Sequence, residues 1–395
     1  MTAILGTMRR IPLSIPVMRG NEARYLKECI DTNWVSYVGP FVERFETEFA
    51  TAVGAPHAVA MNSGTAALHV ALLAAGIGAG DLVVVPDLTF IAPANAVRYC
   101  GADPVFVDVT ADRWQLDVDK VAAFLKGECE RTASGLRDRA TGNRVAALLP
   151  VHLLGHPVDL DPLLAIAAEY GLAVIEDATE SLGSTYKGRA PGTFGLAGCF
   201  SFNGNKIITS GGGGMLTTAS EDVARRARYL STQARDDPLE YVHASIGFNY
   251  RLTNLQAAVG VAQLEQLDEH VRRKREIAAR YAAGLGGLPG VTLPGEAPWA
   301  RSTFWLYTIR VAPPARRTSR QLIADLDGAG IEARPVWAPI HEQVPYRGSR
   351  TFGLEHSNAI YRSAVSLPSS VDLTAEDQDR VIAAVRGALV ATSVA

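Results

Sequence analysis

No stretch of this chain approaches the roughly 18 consecutive apolar residues that a membrane span requires. The longest candidate, around Val70 to Ile77, is short and follows His69. Cysteine is scarce as well. Cys29, Cys100, Cys129 and Cys199 lie far apart and form no CxxC pair, which argues against a disulfide framework or a metal site. Neither sign of charge dominates: 38 basic residues stand against 41 acidic ones, a formal net charge of -3. The basic footprint of a nucleic-acid binder is therefore missing. The opening residues, MTAILGTMRRIPLSIP, lack the charged-then-apolar layout of a secretory signal. These absences leave a cytoplasmic enzyme or binding protein. Its 395 residues suffice for about two or three domains without covalent staples. What the chain does have is glycine and proline, 36 and 21 copies, as loop filler or as points of close backbone approach.

Along the chain, strands and helices alternate. Short apolar runs rich in β-branched residues occur at Leu82–Val85, Pro104–Val109, Val145–Val151, Leu172–Ile175, Cys199–Phe202 and Met215–Thr217. Helical patterns at Thr65–Ala75 and Pro162–Tyr170 fall between them. This alternation predicts an α/β fold with a mostly parallel sheet flanked by helices, which binds ligands at the carboxyl ends of its strands. Residues 1–253 read as a large domain with an N-terminal segment. From Asn254 the apolar stripe Leu255, Ala258, Val259 and Ala262, continued by Leu264, Leu267 and Val271, predicts one long connecting helix over 254–287. The cluster Arg272-Arg273-Lys274-Arg275 on it reads as a solvated face. Residues 288–395 read as a smaller α+β domain, with a strand-like stretch at Thr303–Val311, a helix at Arg320–Gly328 and a proline-rich segment at Arg334–Pro345.

The chemistry concentrates in Ala173–Leu216. An apolar strand ends in Glu176-Asp177, and Lys206 follows shortly after the next strand, just before four glycines. A carboxylate buried at a strand end needs a cation, either Lys206 itself or a cationic cofactor. Pyridoxal phosphate needs a lysine, a carboxylate for its ring nitrogen, a stacking side chain and a phosphate cup. Candidates exist for all four. Asn62-Ser63-Gly64-Thr65 precedes a helix whose free N–H groups and dipole favour a phosphate. Phe90 follows a strand at the same sheet edge, and Ser201 lies on the strand leading to Lys206. Each feature alone has an ordinary structural reading; their joint occurrence carries the case.

The stretches VIEDATESLGSTYKGR, GCFSFNGNKIITSGGGGM and GFNYRLTNLQAAVGVAQLEQLDEH closely resemble the DegT/StrS family of pyridoxal-phosphate sugar aminotransferases. The resemblance covers nearly the whole chain. Within the family, TFIAPANAVRYCGADPVFVDV, VHLLGHPVDLDPLL and STQARDDPLEYVH are most similar to the branch that aminates nucleotide-linked 4-keto-6-deoxy-N-acetylhexosamines. The resemblance implies the fold of type I pyridoxal-phosphate transferases and a homodimer with shared active sites. Lys206 would be the Schiff-base lysine and Asp177 the pyridinium partner. Phe90 would stack on the ring, while Ser63, Gly64, Thr65 and Ser201 would hold the phosphate. Asn249 would reach the phosphate of the neighbouring subunit. Glu180 stands where many members carry Gln, and Gly212 where many carry Glu. Relatives with His at the lysine position act as dehydratases, and this chain keeps Lys206.

The implied reaction moves an amino group from L-glutamate to a keto-sugar. Substrate candidates are Trp34 and Ser36 in the NWVS turn, His152 in the VHLLGH loop, and Arg334, Trp337 and His341 in RPVWAPIH. No metal is expected, since Gly155 and Pro157 make a helical HxxxH site from His152 and His156 improbable. Two alternatives stand beside the 4-keto substrate. One is amination of a 3-keto nucleotide sugar or cyclitol ketone; the other is a non-catalytic cofactor-binding regulatory paralogue.

Overall fold

The computed structural model describes residues 9–133, 135–237 and 239–390, so the outer ends of the first and last segments, 1–8 and 391–395, lie outside the described residues. All six apolar runs fold as strands, at Asp81–Pro86, Asp103–Val107, Arg144–Leu148, Ala173–Asp177, Ala197–Ser201 and Gly214–Thr218. The run expected to reach Val151 closes at Leu148. Pro150 lacks the N–H that a ladder requires, and Val151 makes only an isolated bridge to Asp177.

These strands join a ten-stranded sheet. Parallel pairing runs from Ala197–Ser201 through Ala173–Asp177, Arg144–Leu148, Asp81–Pro86 and Asp103–Val107 to Arg350–Phe352. On the other side Gly214–Thr218 pairs antiparallel, and His57–Met61 pairs antiparallel to that strand in turn. Two reversals return His57–Met61 to the common direction. The sheet is thus mostly parallel but mixed, and its Cys129–Thr132 and Gly135–Asp138 hairpin adds a further antiparallel pair. His57–Met61, Arg350–Phe352 and that hairpin escape the sequence reading.

Register decides what meets at the sheet edge. Met61 stands opposite Gly214, Gly214 opposite Ser201, and Cys199 opposite Asp177. Alternation along Ala197–Ser201 then sorts the side chains. Phe200 and Phe202 turn to one face, where they pack at 5.0 Å on Phe49 and Phe45 of helix Pro40–Val53. Cys199 turns to the other face, into the core that holds helix Gly64–Ala74. Burying each phenylalanine is worth about 1.5–3 kcal/mol. That pins the strand whose end carries Ser201. Cys199 is fully enclosed and its thiol is pushed well upward by burial, as befits a small core hydrophobe.

The expected single helix over 254–287 is two helices, Asn254–Leu264 and Leu267–Leu285. The break falls where side chains are drawn to other elements. Glu265 accepts from Tyr25 Oη and Asn21 Nδ2, both at 2.6 Å, and Gln266 Nε2 reaches Glu22 Oε1 at 3.3 Å. The basic cluster on the second helix also needs correcting. Arg272 pairs with acids on its own exposed face, but Lys274 is 2 % exposed and points inward. Helical spacing turns it towards the apolar stripe, where its Nζ donates to the carbonyls of Trp305 (2.9 Å) and Ser369.

Beyond this helix, Val291–Thr292, Thr308–Val311 and Ala364–Ser366 form a three-stranded sheet. It packs with helices Ser319–Gly328 and Ala375–Leu389 around Ile309, Leu322, Leu326 and Val381. The strand expected from Thr303 begins only at Thr308, because Phe304 has a left-handed φ of 50°. Among the described residues, no helix is long and apolar enough to cross a membrane.

Candidate active site

A cavity of about 360 Å³ opens at the sheet edge just described. Its rim includes Ser63, Gly64 and Thr65 at the start of helix Gly64–Ala74. Ser63 Oγ caps that helix by accepting from Ala66 N–H at 3.0 Å. The first helical N–H groups have no acceptor within the helix, so this rim suits an anion. The backbone comes close here. A Cβ on Gly64 would lie 2.9 Å from Ser201 Cβ, and one on Gly214 would lie 2.4 Å from the Ser63 carbonyl oxygen. Gly213, with φ 133°, makes the turn into the strand. Gly212 also lines the cavity, and a Cβ there would meet only Gln256 Nε2 at 3.5 Å.

Lys206 projects into the cavity from the turn after Ser201. Its Nζ lies 3.6 Å from Glu180 Oε1 and 4.0 Å from the centre of the Trp305 ring. Trp305 stacks on Trp337 (6.3 Å, 8° between planes), and Trp337 meets the exposed Phe90 edge-on at 6.3 Å. An aromatic wall thus runs from the lysine to the mouth.

Three buried acids lie behind it. Glu176 is enclosed and accepts from the N–H groups of Gly192, Phe194 and Gly195, each at 2.7 Å. His152 joins it at 3.0 Å through Nε2, while Nδ1 accepts from Val158 N–H at 3.1 Å. That acceptor role fixes the proton on Nε2, which donates to Glu176. Burial raises the Glu176 carboxyl, but His152 and the N–H groups of Gly192 and Gly195 outweigh it and hold the group below its ordinary value. Asp177 is 3 % exposed and accepts from Thr179 N–H at 3.0 Å. Burial raises it, and Thr179 and the Lys206 charge offset this only in part. Glu180 accepts from Leu154 N–H at 2.8 Å. Burial pushes it up to about 7, against the pull of Lys206.

A deep amine, a buried acid short of a counter-charge and a glycine-lined anion cup fit pyridoxal phosphate. The match to the DegT/DnrJ/EryC1/StrS aminotransferase family model spans residues 16–386. The chain belongs to this family. Over 387 residues it is 44 % identical to GDP-perosamine synthase of Caulobacter vibrioides, covering 98 % of this chain and all of that one. GDP-perosamine synthase of Escherichia coli O157:H7 is 39 % identical, with 86 % and 88 % of the two chains covered. The crystal structure of DesV from S. venezuelae in complex with a ketimine intermediate superimposes with a TM-score of 0.84, at 34 % identity over 96 % of this chain and 98 % of DesV. The protein is a pyridoxal-phosphate-dependent nucleotide-sugar aminotransferase with the fold foreseen from the sequence.

In this aminotransferase the structure gathers Ser63, Gly64, Thr65, Phe90, Glu180, Ser201 and Lys206 around one cavity, with Asp177 enclosed next to Thr179. Of the substrate candidates, Trp337 alone lines it among the described residues. His152 does not, being fully enclosed with both ring nitrogens engaged. His341 is turned instead onto the buried Asp87, its Nδ1 within 2.8 Å of a carboxylate oxygen. Arg334 is exposed and paired with Glu332 at 2.9 Å. Trp34, Ser36 and Asn249 are exposed and stand outside this chain's cavity. The carbonyls of Trp34 and Ser36 cap Asn254 at the start of the connecting helix. Sequence reading misses Thr179, Asn203, Asn205 and Trp305. The two asparagines stand just before the lysine in the motif and could have been found by adjacency. Trp305, whose indole N–H reaches Asn205 O at 2.7 Å across 100 residues, leaves no local signal.

Proposed function

We propose that this aminotransferase passes the amino group of L-glutamate to the C4 keto carbon of a nucleotide-linked 4-keto-6-deoxyhexose. The observation that carries the reading is the amine Lys206 Nζ in an aromatic-walled cavity, 3.6 Å from the buried Glu180 and close enough for its charge to act on the buried Asp177. Pyridoxal phosphate, when bound, supplies an aldehyde that takes up the amino group and a ring that spreads the charge at the reacting carbon. Lys206 Nζ takes the proton from the donor's α-carbon and returns it to the product side, as base and then acid. Asp177 would hold a proton at the ring nitrogen. Burial holds its carboxyl above the ordinary value, the mark of a carboxylate lacking a full partner, which a cationic ring would provide. Ser63, Gly64, Thr65 and Ser201 would orient the phosphate, Phe90 would cover the ring, and Trp337 would bound the sugar side.

The two relatives named GDP-perosamine synthase support a GDP-linked 4-keto sugar as the acceptor. The TFIAPANAVRYCGADPVFVDV and STQARDDPLEYVH stretches favour an N-acetylhexosamine at the same 4-keto oxidation level. The exposed apolar groups Trp34, Val35, Tyr37 and Val38 support pairing with a second copy. In such a homodimer Asn249 and the Trp34–Ser36 turn would complete the neighbour's site.

The test supplies glutamate and then a panel of nucleotide keto-sugars, following the amino sugar by mass. Consumption of 4-keto sugars supports the reading, and the nucleotide and acetamido arms choose between the acceptors. Turnover of 3-keto sugars or cyclitol ketones alone would overturn it. Lys206→Ala should fold and stay inactive, with no cofactor trapped by borohydride at that position.

A further inference from the structure

Leu154 adopts the left-handed region, φ 57° and ψ 18°, unusual for a residue with a Cβ. In that turn its two peptide groups serve different partners. The N–H donates to Glu180 Oε2 at 2.8 Å, and the carbonyl accepts from Trp305 N–H at 3.1 Å. One residue therefore ties the Glu180 carboxyl to the backbone of Trp305, whose indole N–H is held separately by the Asn205 carbonyl at 2.7 Å. Lys206 Nζ lies against both, 3.6 Å from Glu180 Oε1 and 4.0 Å from the centre of the Trp305 ring.

The charged groups acting on Glu180 are few. Lys206 reaches it from the turn after Ala197–Ser201, and Asp177 acts from its own strand end. The Leu153–Gly155 turn offers an N–H, and neighbouring His152 is directed to Glu176. The segment carrying Trp305 offers a ring face. A carboxylate within about 4–6 Å favours the charged form of an amine, and so does an aromatic face. Because burial brings Glu180 up to about 7, its charge changes within the neutral range.

We propose that Glu180 is a positioning residue that sets the pH at which the nitrogen of Lys206 gives up its proton. Ionised Glu180, 3.6 Å from Nζ, favours the charged form of the nitrogen and so raises the pH at which its proton leaves. The inference rests on the reading of Lys206 as the lysine that carries the cofactor.

The test uses the full-length protein loaded with pyridoxal phosphate and follows its visible absorption against pH, without turnover. Glu180→Gln should lower the midpoint by about 1 unit or more, the smaller end of what an opposite charge at this distance contributes. Glu180→Asp, whose shorter side chain draws the carboxylate back, should fall between Gln and wild type. A midpoint that stays within about 0.3 unit of wild type, or rises, overturns the proposal, since 1 unit is the expected scale. If the Gln variant fails to fold, the Asp variant decides by the same sign. A wild-type protein in which borohydride fixes no cofactor to Lys206 would instead refute the underlying reading.

Discussion

Replacing Lys274 with methionine isolates the effect of one buried amine. Its side chain is 2 % exposed, and loss of hydration pushes the pKa of its ammonium group down from the ordinary 10.5 to about 7. The unfolded chain therefore binds this proton more tightly than the folded one. Between the two values stability must rise with pH. Taken over both protonation equilibria, the folded state gives up about 4 kcal/mol through this group at pH 7 and about 2 kcal/mol at pH 9. Methionine abolishes that dependence but strips the Trp305 and Ser369 carbonyls of a donor, at about 1–3 kcal/mol each. The two effects nearly cancel at neutral pH and separate in alkali. Wild type should thus gain about 2 kcal/mol on Lys274→Met between pH 7 and pH 9. With the unfolding entropy of a chain of 395 residues, this widens the gap in Tm by about 2–3 °C. Thermal melts of both proteins across that range measure it. A gap that stays constant with pH would show that Lys274 does not titrate there, and the reasoning would fail.

Other perturbations test the site more directly. Gly214→Ala puts a Cβ against the Ser63 carbonyl, and overpacking of about 1–3 kcal/mol should weaken pyridoxal phosphate binding by about 5- to 150-fold in a fluorescence titration. Asp177→Asn should keep the cofactor on Lys206, seen by mass after borohydride treatment, while turnover drops by about 10²–10³-fold. Unchanged turnover would remove Asp177 from the chemistry. Glu176→Gln exchanges an acceptor for a donor among four hydrogen-bond donors and should destabilise by about 3–5 kcal/mol at neutral pH. The depressed wild-type carboxyl contributes stability above its ordinary value of 4.5, and that contribution is lost as pH falls through the lower folded value. The difference between the two proteins should therefore narrow in acid, as denaturant melts at a series of pH values can establish.

What the sequence discloses and what it hides follow one rule, the range over which a residue acts. The cup at Ser63–Thr65, the acid at Asp177 and the amine at Lys206 are each announced by a strand ending in polar residues or by glycine beside them. Such signals are local, because ligands in these sheets bind where strands end. The glycines at 64 and 214 are legible for the same reason, although register alone explains why both are needed. His152 misleads because a histidine in a loop after a strand reads alike whether it faces the cavity or a buried carboxylate. Lys274 misleads because its charged neighbours in sequence are exposed while it is not. Trp305 is invisible because its partners Leu154, Asn205 and Lys206 are at least 99 residues away, and no periodicity spans that distance.

The two stacked indoles beside Lys206 also give the enzyme an optical property. Tryptophan emits where pyridoxal phosphate absorbs, so Trp305 and Trp337 should pass excitation to a cofactor held on the neighbouring lysine. Conversion of the cofactor to its amine form moves its absorption and changes that transfer. Each half-reaction could then be timed from the protein's own emission in a stopped-flow mixer, with no dye attached and no coupling enzyme.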